Sequence, residues 1–153
     1  MPGPADERIR RFLARQAEAA VAAEKERQEE NAREQERKIK TDRIQKKWVA
    51  DTHVINAILR ELKSKMVPIE YDLNFQDVGP SHNGVAGGII VGRFGGEDVH
   101  LALEVKDNGL IEPHEKGSKV GFTRIIATAA KISVLTANTG EYEALILDLL
   151  GVD

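Results

Sequence analysis

Four residues in the second half of the chain have the chemistry of a divalent-cation site: His100, Glu104, Glu112 and His114. Imidazole nitrogens and carboxylate oxygens are the ligands that zinc and related ions accept. A hairpin would bring them to one face. Val99, Leu101, Leu103 and Val105 alternate with polar residues, and Lys106-Asp107-Asn108-Gly109 suits a type I turn followed by Gly109 in a left-handed bulge. Such a loop sets Val105 beside Ile111, with a further strand starting at Leu110. The four polar side chains then point away from the core. Reach limits the set, because residues 100 and 104 lie about 13 Å apart along an extended strand. The wet face of an antiparallel hairpin carries the same residue types. General acid/base chemistry by Glu104 and Glu112 is the enzymatic version of this reading.

A second candidate is the loop Gly79-Pro80-Ser81-His82-Asn83-Gly84, whose backbone amides could cradle an anion. A strand rather than a helix follows it, and Gly-Lys-Ser/Thr is missing, so an ordinary hairpin loop is the better reading. A third is basic: residues 33–47 hold seven Lys or Arg against three acids, a balance of +4. Lys38, Arg43, Lys46 and Lys47 are the residues of this stretch that would lie along a nucleic-acid backbone. No aromatic stacking platform or base-reading module accompanies them. A fourth is apolar: Phe12, Ile44 and Trp48 stand on an otherwise polar helix, where such side chains either cover a partner or fold back on their own domain.

The elements that must carry these residues follow from composition and periodicity. From Ala5 to about Val49 there is no Gly or Pro, and Ala, Glu, Arg, Lys and Gln dominate, so a helix is expected. Its first part bears an apolar stripe of Ile9, Phe12, Leu13, Ala17, Ala20 and Val21, whereas 24–47 offers only Ala32, Ile39 and Ile44. No heptad is sustained, which favours a solvated helical spacer over a long coiled coil. A second apolar face runs from Val54 to Met66, with Asp51 or Thr52 as a cap if a new helix starts there, or no break if the first runs through. Pro68 ends it.

Strands are expected at 69–75, 85–94, 99–105 and from 110, with turns at 79–84 and Gly95-Gly96. Residues 119–137 fit either period, with a lean to helix. Asn138, with Glu141 three residues on, resembles a capping box opening a short helix that stops at Gly151.

These elements imply an α+β protein: a long charged N-terminal helix over 1–50, then a compact domain over 51–153 with an antiparallel sheet of about four strands and two or three helices. Residues 1–50 carry 13 bases and 10 acids, and 51–153 carry 9 and 15, giving +3 and −6. No cysteine is present, which removes thiol catalysis and disulfides and suits a reducing compartment. With no apolar leader and no apolar run of membrane-crossing length, a cytoplasmic location is expected. The functional expectation is a non-enzymatic adaptor that needs no cofactor. It would form homo-oligomers through its helix and hold a protein partner with its acidic domain. Nucleic-acid binding by the basic stretch and metal chemistry by the His/Glu face are the alternatives.

Overall fold

The computed structural model describes residues 3–81, 83–116, 123–125 and 131–152. One helix, α1, runs from Pro4 to Lys65 without a break. Neither candidate cap interrupts it, because both side chains are engaged elsewhere. Asp51 accepts from Lys47, and the Thr52 hydroxyl donates to the Val49 carbonyl at 2.6 Å within the helix. Pro68 follows the last turn, as expected of a residue that cannot continue a helix.

Five strands form an antiparallel meander in chain order: β1 (Tyr71–Asp77), β2 (Ala86–Phe94), β3 (Glu97–Val105), β4 (Ile111–Lys116) and the short β5 (Thr123–Ile125). The β3–β4 register is the one the turn residues imply, with Val105 opposite Ile111 and Gly109 at φ 88°. Gly95 and Gly96, both at positive φ, close the β2–β3 hairpin. The helix favoured within 119–137 is not what the described part of that segment forms. Thr123–Ile125 pairs with β4, and Ser133 bridges Leu110 across the ladder. An Ile132-Ser133-Val134 stretch is rich in β-branched residues that suit extended backbone, and it exchanges two hydrogen bonds with residues 109–111, Ile111 N–H to the Ile132 carbonyl and Val134 N–H to the Gly109 carbonyl. The rest of 119–130, like His82 of the glycine loop, lies outside the described residues.

Helix α2 (Thr139–Leu149) opens as the capping pattern requires: the Asn138 side chain accepts from the Glu141 amide at 2.9 Å. Gly151, at φ 72°, follows its end.

The chain divides into two compact units, one up to Lys40 and one from Thr41 onward. In the second, one apolar cluster joins Ile44, Trp48, Ile55, Ile58, Leu59 and Leu62 of α1 to Tyr71, Leu73 and Phe75 of β1. Ile90, Leu101, Leu103 and Val105 of the middle strands and Tyr142, Leu145 and Ile146 of α2 complete it. The glycines of β2 shape this core. The Phe75 ring lies where a Cβ on Gly88 would sit, and the Trp48 indole packs edge-on against Phe75 with centroids 5.9 Å apart. Trp48 also donates its indole N–H to the Gly87 carbonyl at 3.3 Å. Two large rings can therefore lie against β2 where Gly87 and Gly88 offer no side chains.

A buried polar link ties the two helices across this core. Asp51 is buried; both its oxygens accept from Lys47, at 2.7 and 2.8 Å, and one also accepts from the Tyr142 hydroxyl. Burial, together with the Asp51 carboxylate, pushes the Tyr142 phenol well above its ordinary range. Tyr71, whose buried hydroxyl has no hydrogen-bond partner among the described residues, is pushed up to about 12 by burial.

Candidate functional site

The hairpin places its polar residues largely as their spacing implies. On β3 and β4, Leu101, Leu103, Val105, Ile111 and Pro113 are buried, while Glu104, Glu112 and His114 take the other face. Glu104 sits directly opposite Glu112, and His114 is opposite Ala102. Ligand atoms of Glu104, Glu112 and His114 all fall within 4.8 Å of one another. His100 is outside this group. It pairs with Val91 two residues before the Ala102–His114 row and is exposed.

A cation already lies against the two carboxylates of the cluster. The Lys106 ammonium forms an ion pair with Glu104 and lies 3.8 Å from a Glu112 oxygen, which in turn is 3.1 Å from His114 Nε2. That last contact has the distance but not the direction of a hydrogen bond, since His114 Nε2 is buried without a hydrogen-bond partner. Burial raises the Glu104 carboxyl, but the hydrogen bond and charge of Lys106, the nearby His114 and the Ser81 hydroxyl outweigh it and hold the carboxyl below its usual range. Hydrogen bonding to Glu104 raises Lys106 in turn. Lys106 was not among the residues singled out from the sequence. Its place at the first position of the turn, beside two facing carboxylates, is the signal that could have found it.

The basic stretch is less free than its composition suggests. Lys38 lies 4.0 Å from Glu34, Lys46 is 3.0 Å from Asp42, and Lys47 is bound to buried Asp51 and to the Ala137 carbonyl at 3.3 Å. Arg43 completes the set on the exposed face of the helix. Lys47 is thus part of the domain's own polar link and is poorly placed to meet a phosphate backbone.

The three apolar residues read as anchors separate cleanly. Ile44 is 0% exposed and Trp48 1%, both inside the core, so they cannot be the first contact of a partner. Aromatic and β-branched residues on one helix face, repeated from Ile44 to Leu62, mark a core stripe that begins earlier than the sequence reading placed it. Phe12 is 57% exposed. With Ile9 at 57% and Leu13 at 59%, it forms an apolar face on a stretch, 4–40, in which every residue is exposed; Val21, 69% exposed, lies about half a turn round the helix from Phe12.

Among the described residues no helix is long and apolar enough to cross a membrane. Comparison with protein-family models, with curated proteins and with solved structures finds no match to this chain.

Proposed function

We propose that this chain is a non-enzymatic interaction protein, whose N-terminal helical stretch is an association element and whose acidic α+β unit presents a surface to a protein partner. The observation that carries the proposal is the uncovered apolar face of Ile9, Phe12 and Leu13. A helix nucleates at a cost and gains most of its stability from an apolar face packed on something. Three large apolar side chains at i, i+3 and i+4, each more than half exposed, therefore call for a covering surface. The charge difference of +3 against −6 between residues 1–50 and 51–153 gives the two parts different preferences for partners.

Light scattering of the full chain over a range of concentrations tests this. Association should be seen, and the double change Phe12→Glu with Leu13→Glu should remove it while keeping good helix formers in place. Each large apolar side chain contributes about 1.5 to 3 kcal/mol when buried, so the pair should weaken association by at least roughly a hundredfold. A chain that is monomeric at every concentration, and that retains no partner through this stripe, would remove the basis of the reading.

The convergence of Glu104, Glu112 and His114 favours a second reading, metal binding, and Lys106 is its obstacle, because a divalent ion must displace the ammonium. Lys106→Met separates the two roles. If the cluster is an internal ion-pair network, wild-type protein shows weak zinc binding by calorimetry, and the variant, with its carboxylates no longer neutralised, binds zinc more tightly. The variant also loses an acid-labile contribution to stability. The lowered carboxyl of Glu104 stabilises the fold above the ordinary carboxylate range, and this contribution is lost as pH falls through the lowered value. Tight zinc binding by the wild-type chain would favour the metal reading instead.

A further inference from the structure

We infer that the covering surface for the N-terminal stripe is the same stripe of a second copy, laid antiparallel about Gln16. The inference rests on the association reading above and adds direction and register to it. Two independent properties of residues 4–30 select this arrangement.

The first is size. The large side chains Ile9, Phe12 and Leu13 lie in the first half of residues 4–30, and on the same helix face the second half offers the small Ala19, Ala20 and Ala23, while Val21, nine residues after Phe12, stands about half a turn away from it. An antiparallel pair centred on Gln16 sets Ile9 opposite Ala23, Phe12 opposite Ala20 and Leu13 opposite Ala19. Large meets small at each level, so the helix axes stay at one separation along the overlap. A parallel pair would set Phe12 against Phe12 and alanine against alanine, opening the helices at one end and leaving voids at the other.

The second is charge. Residues 4–15 carry Arg8, Arg10, Arg11 and Arg15 against Asp6 and Glu7, four minus two, or +2. Residues 17–30 carry Lys25 and Arg27 against Glu18, Glu24, Glu26, Glu29 and Glu30, two minus five, or −3. Antiparallel pairing brings the basic half of each copy to the acidic half of the other, with Arg8 across from Glu24 and Glu7 across from Lys25. Parallel pairing brings like to like. The intrahelical pairs Arg11–Glu7 and Arg27–Glu24 are both on exposed side chains and can be shared with a second helix at little cost.

The chain has no cysteine, so single cysteines placed in the full-length protein report contacts directly. Ile9→Cys, Gln16→Cys and Ala23→Cys each put a small apolar thiol on the stripe. In an antiparallel pair about Gln16, residue 9 lies about 21 Å along the axis from residue 9 of the other copy, fourteen rises of about 1.5 Å. A disulfide needs Cα atoms within about 7 Å. On mild oxidation, Gln16→Cys should cross-link to itself. A mixture of Ile9→Cys and Ala23→Cys should give the mixed disulfide, identified by mass, and neither variant alone should cross-link. If Ile9→Cys cross-links to itself, the pair is parallel and the inference falls while the association reading survives. A dimeric mass with no cross-link at residue 16 overturns the register. A monomeric mass with no cross-link overturns both.

Discussion

Replacing Trp48 with alanine should lower the stability of the compact unit by about 3 to 5 kcal/mol, the range for losing a buried large aromatic side chain. The indole is 1% exposed, packs edge-on against Phe75 and donates to the Gly87 carbonyl, so the change leaves a cavity and removes one of the two hydrogen bonds to that carbonyl, the other coming from the Val78 amide at 3.2 Å. Natural domains are stable by about 5 to 15 kcal/mol, so this single change consumes a large share of the total. Urea unfolding followed by circular dichroism measures it; fluorescence does not, because Trp48 is the only tryptophan. Phe12→Ala is the matching control. Its side chain is 57% exposed, so at concentrations low enough to keep both proteins monomeric the midpoint of the compact unit should not move. Equal effects of the two substitutions would contradict the separation of core anchor from surface anchor on which the functional reading depends.

Gly92→Ala should be the second severe change, and for a backbone reason. Gly92 adopts φ 140°, which side-chain-bearing residues rarely do, and it pairs with Leu73 of β1 on one side and Val99 of β3 on the other. A Cβ there would overlap the Asp72 carbonyl oxygen, a main-chain atom that cannot rotate away. Holding alanine in such a conformation costs about 1 to 3 kcal/mol, and the displacement of β1 adds to that. Hydrogen exchange should show β1 amides losing protection first, since they depend on β2 for pairing. Gly95→Ala makes a useful contrast: its φ of 61° is strained for alanine, yet nothing lies within 4 Å of the added carbon. It should cost only the strain. If Gly92→Ala proved no worse than Gly95→Ala, the close approach of β1 to β2 would not be what fixes glycine at position 92.

The polar link through Asp51 and the cluster around Lys106 differ in how far sequence could have exposed them. Lys106, Glu104 and Glu112 belong to one hairpin, and its register follows from turn chemistry and a two-residue period, both local properties. Asp51 meets Lys47 one helical turn away, but its other partner, Tyr142, is 91 residues along the chain. No local pattern pairs them.

What the sequence determined by itself was whatever depends on neighbours in the chain. An uninterrupted run of strong helix formers made α1, alternating residues and glycine-bearing turns made the meander, and Asn138 capped α2. It also determined the composition of the stripe from Ile9 to Ala23, and with it the size and charge gradients that favour an antiparallel copy. Tertiary structure decided which apolar residues of α1 are covered. Ile44 and Trp48 look like Phe12 in the sequence, each directly preceded by a basic residue on an otherwise polar helix. Only the packing of residues from Thr41 onward against β1, β2 and α2 makes two of them core and leaves the third outside. It decided as well that 132–134 lies beside residues 109–111 in a single bridge, because β-branched residues suit either period until backbone groups that can pair with them lie alongside. Burial and long-range pairing are properties of the assembled fold, and a periodicity read along the chain carries them only where the partner lies close by in sequence.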